Sequence, residues 1–361
     1  MAQSAFQITG YADRGYLISN STDTKASTRG LGSNAGTTRF EFRGNEDLGG
    51  GNSAGFFVET DWADLAGISQ GTSTTATSAN SSGFANSESY FRLTSAQLGE
   101  LKLGSVNNDM LGIATSVASP AFSTGVGSAY SSKFSTLNGE GTGVTGSGGI
   151  VTQGTQSATN GGVRAIRMAN TVKYTTPSFS GLTVSLAGAA NNTQGTAGTG
   201  QTVGMSEQTI RYINGPLDAA YTQIKYTNPG VTATNGSLTA DLTNKHSMYA
   251  ASYAVLPTVK LHAGLSKSLA STASVADSKG KQYGVTWNVT PVIDVLAQQA
   301  TVTDNNTADF SRKMTGLGVD YKFSKTTRAY FRYDSLNFDT NHAASAGSEI
   351  KRTAVGLSQA F

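Results

Sequence analysis

The sequence predicts an all-β fold, a closed antiparallel barrel of sixteen strands that crosses a membrane. The first reason is composition, because only 14% of the 361 residues are charged and only 37% are hydrophobic. A soluble domain usually has about 25% charged residues, and one with less charge is expected to bury more apolar surface. A helical membrane protein would contain apolar runs of about 18 residues, and the sequence contains none. A membrane barrel fits both observations, since only alternate residues of each strand face lipid.

The second reason is a series of strand-like stretches that come in pairs. A short turn joins the two members of a pair, and a longer segment rich in Gly, Ser, Thr and Asn leads to the next pair. An even strand number, with short turns at one end and long loops at the other, is typical of bacterial membrane barrels. In chain order the predicted strands are residues 6–17, 37–46, 54–63, 87–95, 100–106, 170–176, 182–189, 207–213, 217–226, 245–254, 258–266, 281–289, 292–302, 313–323, 326–338 and 350–361.

The third reason is the carboxy-terminal stretch, which alternates apolar with small or polar residues and ends on an aromatic side chain. Val355, Leu357 and Phe361 fall on one face of an extended chain. A strand at the end of a chain leaves an exposed edge unless it is paired. We therefore expect the last strand to pair with the first, over residues 6–17, and to close the barrel.

Alternation within the strands separates charged from apolar faces. In the second predicted strand Arg39, Glu41 and Arg43 oppose Phe40 and Phe42, and the fifteenth strand has the same pattern. Soluble sheets alternate as well, so this pattern alone fits both kinds of protein. The strand count, the unequal loop lengths and the terminal aromatic residue together favour the membrane barrel.

Several function classes find little support in the sequence. The net charge of +3, without a basic run, gives no reason to expect nucleic acid binding. There is no cysteine, and the three histidines have no metal-ligand spacing, so no cofactor or metal is expected. The Gly-rich stretch at residues 30–35 precedes a strand and so does not indicate a dinucleotide site. The start of the chain lacks a basic and apolar leader, so we expect that any signal peptide has been removed.

Four segments resemble one protein family. Residues 37–51, TTRFEFRGNEDLGGG, are similar to the signature of Gram-negative trimeric general porins, especially the betaproteobacterial and neisserial branch. Residues 7–15 (QITGYADRG), 90–104 (YFRLTSAQLGELKLG) and 353–361 resemble the first, the fourth and fifth, and the closing strands of that family. The resemblance implies a homotrimer in the cell outer membrane of a Gram-negative bacterium, with a single barrel domain over residues 1–361. It also implies contact with membrane lipid and lipopolysaccharide, and recognition of Phe361 by the barrel-assembly machinery.

In that family the third external loop folds inward and narrows the pore, and residues 107–169 fit this loop in position and length. Within it, Asn108 is a candidate helix N-cap, Asp109 suits the positive end of a helix, and Pro120 would end the helix. An apolar stripe for docking is formed by Met110, Leu111, Ile113, Ala114 and Val117. For residues 139–162, which are mostly Gly, Thr and Ser, an exposed surface loop is an alternative.

The resemblance implies basic residues on the pore wall opposite acidic groups on the inward loop. The wall candidates are Arg39, Arg43, Arg92, Arg164 and Arg167. The loop candidates are Asp109 and Glu140, so the arginines outnumber the acids and predict anion preference. Relatives commonly carry an arginine where this chain has Ser105, which would weaken the positive field. For each arginine the alternative is a solvated wall position paired with a carboxylate such as Glu41 or Glu59.

The predicted function is passive diffusion of small hydrophilic solutes and ions through a water-filled channel that favours anions, without enzymatic activity. A channel specific for one small organic anion would instead show current block that saturates with that solute. A soluble β-rich surface adhesin would purify without detergent. An outer-membrane hydrolase that uses His262 would lose its activity on replacement of His262 by alanine.

Overall fold

The computed structural model of the chain describes residues 4–22, 27–61, 84–85, 87–122, 125–129, 167–194, 201–228, 242–269, 277–305, 310–339 and 349–361. These residues form strands and one short helix, α1. The strands are β1 Ser4–Ser21, β2 Ser27–Gly32, β3 Arg39–Gly49, β4 Asn52–Asp61, β5 Ser89–Ser95, β6 Gly99–Asn107, β7 Arg167–Thr175, β8 Leu182–Gln194, β9 Gln201–Asn214, β10 Leu217–Asn228, β11 Leu242–Leu256, β12 Val259–Leu269, β13 Asp277–Thr290, β14 Ile293–Asn305, β15 Phe310–Lys322, β16 Thr327–Phe338 and β17 Glu349–Ala360, and α1 is Asp109–Ser116.

All seventeen strands belong to one antiparallel sheet that closes on itself. β1 pairs with both β2 and β3, each strand from β3 onward pairs with the next strand in the chain, and β1 also pairs with β17 from Tyr11 opposite Ala360 to Ser21 opposite Ile350. The two strands β2 and β3 share one position in the wall, because β2 pairs with the second half of β1 and β3 with the first half. The barrel therefore has sixteen strand positions, and the predicted closure of the last strand on the first is confirmed.

The second predicted strand, residues 37–46, corresponds to β3 alone, and β2 was missed. Between them residues 33–38 leave the sheet and surround the buried carboxylate of Asp13 on β1. The backbone N–H groups of Asn34, Ala35 and Gly36 donate to Asp13 Oδ2 at 2.8, 2.6 and 3.0 Å. Tyr330 on β16 donates to Asp13 Oδ1 at 2.6 Å. The carboxylate thus replaces the ladder partners that these backbone groups would otherwise need.

Short turns join the strands at one end of the barrel. Between β3 and β4, Gly49, Gly50 and Gly51 have φ values of 79°, 62° and 78°, in the left-handed region that favours glycine. The short turn predicted between the paired strands at residues 37–46 and 54–63 is confirmed. The strand ends that lead into the longer connections lie at the opposite end, in agreement with the pairing of the predicted strands.

The two faces of the wall differ in polarity as the alternation predicted. On β16 Phe331 is 41% exposed, whereas its neighbours Tyr330 and Arg332 are 2% and 1% exposed. The same parity places Phe40 and Phe42 on the face opposite Arg39 and Glu41. The exposed face carries the large apolar side chains, and the covered face carries most of the charged ones. The apolar face is therefore the outside of the barrel, and the charged face is its inside.

Between β6 and β7 the structure describes residues 108–122 and 125–129, which we call the loop segment. Its helix α1 turns Met110, Ile113 and Ala114 towards the covered face of the wall, where they form one apolar cluster with Ile224 and Met248 of β10 and β11. The predicted apolar stripe therefore does dock. No helix within the described residues is both long enough and apolar enough to cross a membrane.

Candidate functional site on the inner face of the barrel

Two arginines and two glutamates form a connected cluster on β3 and β4. Arg39 Nε lies 2.7 Å from Glu41 Oε1 and 3.2 Å from Glu59 Oε2. Arg43 Nη2 lies 2.5 Å from Glu41 Oε2, and Thr9 Oγ1 donates to the same oxygen at 3.0 Å. Strand pairing explains the cluster, because Glu41 lies directly opposite Glu59, and the arginines flank Glu41 on the same face of β3.

The cations of this cluster are more accessible than its anions. Arg39 is 34% exposed and Arg43 is 50% exposed, whereas Glu41 is 9% and Glu59 is 12% exposed. The guanidinium of Arg43 also lies 5.1 Å from the ring centre of Phe57, which holds it against the wall. The accessible surface of this cluster is therefore formed by guanidinium groups more than by carboxylates.

Arg92 lies on the same inner face, on β5. Its Nη2 donates to Asn45 Oδ1 at 3.3 Å, and its Nη1 lies 3.9 Å from Glu100 Oε2. Glu100 is shared with Lys102, whose Nζ is 3.2 Å from Oε1. Arg92 is 36% exposed, so it adds a third accessible guanidinium to this side of the barrel.

A second charged cluster lies on β15 to β17. Arg328 and Arg332 contact the carboxylate of Asp320 at 3.0 and 2.6 Å. Arg352 donates two hydrogen bonds to Asp334, at 2.9 and 2.5 Å. Tyr11 on β1 connects the two clusters, because Arg328 donates to its hydroxyl at 3.1 Å and Arg39 lies 5.7 Å from its ring centre.

The first residues of α1 bind to the wall through Glu207 on β9. The backbone N–H groups of Asp109 and Met110 both donate to the Glu207 carboxylate at 2.9 Å. Asp109 forms an ion pair with Lys173 on β7, at 2.5 Å. Asn108 stands at the N-cap position with extended backbone, but its side chain makes no capping hydrogen bond. The predicted N-cap position of Asn108 is therefore confirmed, but the Glu207 carboxylate from a distant strand, and not the Asn108 side chain, accepts the first N–H groups of the helix.

The far end of the loop segment is fixed on the opposite side of the wall. Gly127 N donates to Asp334 Oδ2 at 2.7 Å, and Val126 N donates to Asn34 O at 2.8 Å. In between, His262 Nδ1 lies 3.0 Å from Ala118 O. The histidine considered for a hydrolase is thus 3% exposed and in contact with the loop backbone.

Five of the seven predicted pore residues lie within the described part of the chain. Arg39, Arg43 and Arg92 share the inner face of β3 to β5, and Asp109 lies at the start of α1 beside Lys173. Arg167 begins β7, where its backbone pairs with Asn107. Arg164 and Glu140 lie outside the described residues. That these residues form the constriction of the pore is still a prediction.

Sequence reasoning missed part of the charged inner face. The missed residues are Lys173, Glu207, Asp320, Arg328, Arg332, Asp334 and Arg352. The alternation on β16 places Arg328 and Arg332 on the face opposite the apolar side chains, so the sequence contained a signal that both lie on the inner face. The partners Asp320 and Asp334 become evident only with the strand register. Within the described residues, no group of three His, Cys, Asp or Glu side chains could hold a metal ion.

The chain resembles known proteins in sequence and in fold. Outer membrane porin protein 32 of Delftia acidovorans is 31% identical over 224 residues, which are 61% of this chain and 54% of that protein, so the match spans about half of that relative. The anion-selective porin from Comamonas acidovorans has the same fold, with a TM-score of 0.75 at 23% identity over 99% of this chain and 100% of that one. OmpT of Vibrio cholerae in its trimer form has a TM-score of 0.65 at 16% identity over 99% of both chains.

The sequence profile of the Gram-negative porin family matches residues 1–341. This match covers nearly the whole chain, and it agrees with the closed barrel of sixteen strand positions and with the charged inner face. The chain therefore belongs to the Gram-negative porin family, as the four sequence segments predicted, and it is an outer-membrane protein.

Proposed function

We propose that the barrel is a water-filled channel for passive diffusion of small hydrophilic solutes and ions, that it favours anions, and that it assembles as a homotrimer. In this proposal the loop segment folds into the lumen and narrows it between the arginines of β3 to β5 and the wall that carries α1. The contacts of α1 with Glu207 and of Gly127 with Asp334 support an inward loop, because both acceptors belong to the covered face.

The observation that carries the anion preference is the unequal exposure of the ion pairs. Arg39, Arg43 and Arg328 are 34%, 50% and 35% exposed, whereas their partners Glu41 and Asp320 are 9% and 3% exposed. The field near an accessible charge acts on a passing ion more strongly than that of a covered one, so the wall attracts anions despite its near balance of charges. The Comamonas relative is described as anion-selective, in agreement with this proposal.

Replacing Arg39 and Arg43 together by alanine should reduce anion preference. The change removes two accessible cations and leaves Glu41 and Glu59 unpaired, so we expect the chloride-to-potassium permeability ratio to fall roughly threefold or more. The measurement is the reversal potential of the channel in a potassium chloride gradient across a planar bilayer. The matched control replaces Lys325 in a short turn and Lys351 on the outer face by alanine, and it should leave the ratio unchanged. An unchanged reversal potential in the arginine variant would place both residues away from the constriction.

Deleting Phe361 should impair assembly in cells. The Phe361 backbone exchanges hydrogen bonds with Gly10 at 2.9 and 3.1 Å, and its ring centre lies 5.4 Å from that of Phe40. These contacts seal the junction of the last strand with the first, and we propose that the terminal aromatic residue is also the signal for the assembly machinery. Trimer yield from membranes, measured on an unheated gel, should fall at least about tenfold, because the deletion removes both backbone hydrogen bonds to Gly10 and the ring contact with Phe40.

The control is the conservative replacement of Phe361 by tyrosine. It tests whether an aromatic ring at the terminus, in strand closure or as an assembly signal, is what the yield depends on, or whether any change at this position destabilises the barrel. Tyrosine keeps an aromatic terminus, and the yield of this variant should stay near that of the unchanged chain. Normal trimer yield after deletion of Phe361 would remove the residue from any role in assembly.

A further inference from the structure

The middle of the loop segment is bound to the wall by one histidine, His262 on β12. Its Nδ1 lies 3.0 Å from the carbonyl oxygen of Ala118, and since a carbonyl only accepts, Nδ1 carries a proton and donates. The loop is in close contact with the same strand, because a Cβ added to Gly264 would lie 2.9 Å from the Cβ of Ala118. His262 and Ala118 are both buried. This contact is a third anchor of the loop segment, between the ends at Glu207 and Asp334.

The next loop residue is bound to the wall beside the histidine. Ser119 Oγ donates to Gln298 Oε1 of β14 at 2.7 Å, and both residues are buried. In the sheet His262 lies opposite Gly284 of β13, and Gly284 lies opposite Gln298. The imidazole lies over this glycine, because a Cβ on Gly284 would be 2.8 Å from Nε2 of His262. The ring therefore extends across the glycine towards Gln298, and two consecutive loop residues bind the two side chains.

The second ring nitrogen, His262 Nε2, is buried and has no hydrogen-bond partner among the described residues. The same is true of two atoms on neighbouring strands, Ser252 Oγ and Gln298 Nε2. Ser252 lies directly opposite His262 on β11. In the neutral ring Nε2 is an acceptor, which suits a site next to an amide and a hydroxyl that can both donate. In the protonated ring Nε2 is a donor and faces the amide N–H groups of Gln298.

The described residues packed around His262 provide no negative charge for a protonated ring. On β12 the nearest charged side chain of the inner face is Lys260, two residues away and positive. Asp294 on β14 lies four residues along the strand from Gln298, about 13 Å, and it forms an ion pair with Lys322 at 2.7 Å. The other residues around the ring are uncharged, namely 250–254 of β11, 282–286 of β13 and 110–122 of the loop segment.

We propose that His262 is the positioning residue for the middle of the loop segment, and that protonation of its ring releases this part of the loop from the wall. A second proton, on Nε2, creates a buried positive charge without a partner, and such a charge favours the arrangement in which water reaches the ring. The ends at Glu207 and Asp334 stay bound, so the released middle moves within the lumen. This inference rests on the proposed channel, in which the loop segment narrows the pore.

The test is a pH profile of single-channel current noise in a planar bilayer, from about pH 7.5 to about pH 4.5, which spans the titration of histidine. For the unchanged chain, the time spent in brief current fluctuations should rise at least about tenfold on acidification. His262→Asn keeps a donor near the Nδ1 position but cannot take up a proton, so its current noise should not depend on pH. Carboxylates such as Glu207 are the same in both chains, so the difference between the profiles belongs to His262.

A second variant, Gln298→Glu, tests the position of the buried charge. Its carboxylate keeps an acceptor for Ser119 and adds a negative charge beside Nε2, so it should suppress the acid response. The matched control is His246→Asn on β11, because His246 is also buried and its Nδ1 lies 2.8 Å from Ser268 Oγ of the wall. This control should keep the acid response of the unchanged chain.

The proposal is overturned if the noise of the unchanged chain is the same at both ends of the pH range, or if either His262→Asn or Gln298→Glu keeps the acid response. An asparagine too short to reach Ala118 would give high noise at every pH, again without an acid response, and would support the anchor. If His262→Asn does not fold, Gln298→Glu decides. A chain that does not conduct refutes the channel, whereas a chain that conducts without an acid response refutes the role of His262 alone.

Discussion

Replacing Gly316 by valine is expected to detach the far end of the loop segment and to raise both the single-channel conductance and its noise. A Cβ on Gly316 would lie 2.5, 2.7 and 3.0 Å from the O, Cα and C atoms of Gly127. These are backbone atoms and cannot rotate away, so the loop must move. Its hydrogen bonds from Gly127 to Asp334 and from Val126 to Asn34 would then break. Their loss should cost about 2–4 kcal/mol of loop anchoring, since one acceptor is a carboxylate.

The matched control for Gly316→Val is Gly188→Val on β8, where the nearest atom to an added Cβ is 3.8 Å away. This control makes the same substitution in a strand without meeting the loop, and its conductance should equal that of the unchanged chain. The measurement is single-channel recording at fixed voltage. If Gly316→Val conducts like the control, the loop segment does not narrow the pore.

Replacing Glu207 by alanine should release the other end of the loop segment. The carboxylate accepts the backbone N–H groups of Asp109 and Met110, and it is only 4% exposed. Its removal leaves both donors unsatisfied at a helix start, at a cost of about 2–4 kcal/mol. Hydrogen exchange of the α1 amides should then become at least about tenfold faster. Channel recordings should show frequent short closures.

The control for Glu207→Ala is Glu207→Gln, whose single carbonyl oxygen can accept one of the two hydrogen bonds and should give an intermediate exchange rate. Exchange in peptides from β10 and β14 serves as an internal reference for the stability of the barrel. Equal acceleration there would mean that the whole wall, rather than α1, has loosened. Unchanged exchange in α1 would mean that Glu207 does not hold the helix.

The periodic part of the fold follows directly from the sequence. Alternation such as Arg39-Phe40-Glu41-Phe42 assigns both the strand and its two faces, because a side chain at every second position must face the same way. The closure of β17 on β1 follows from the need to pair a terminal strand. The triple glycine after β3 predicts a tight turn for the same local reason, namely its tolerance of positive φ.

The departures from the prediction depend on residues distant in the chain. The break between β2 and β3 depends on Asp13, which lies 21 residues before Asn34 and replaces sheet partners by accepting backbone hydrogen bonds. The cap of α1 depends on Glu207, 98 residues after Asp109. Asn108 carries the local signal for a cap, but the helix start meets a buried carboxylate. Local patterns could not reveal either contact, because each requires the register of the closed barrel.

The sequence predicted the type of candidate site, a charged inner face, but only some of its residues. Parity placed Arg39 and Arg43 on one charged face and the family resemblance placed that face in the pore. Neither could show that both arginines share Glu41 and remain more exposed than that partner. The cluster around Asp320 and Asp334 forms because β15, β16 and β17 align their inward positions side by side. The proposed anion preference therefore rests on the relative exposure of cations and carboxylates, which a count of arginines in the sequence does not supply.

The most direct test of the central claim is a recording of the purified chain in a planar bilayer with a potassium chloride gradient. Our account predicts stepwise conductance in groups of three equal levels, from three barrels in one assembly, and a reversal potential that favours chloride. Absence of ion conductance would contradict the channel. A reversal potential that favours potassium would contradict the role given to the exposed guanidinium groups of Arg39 and Arg43.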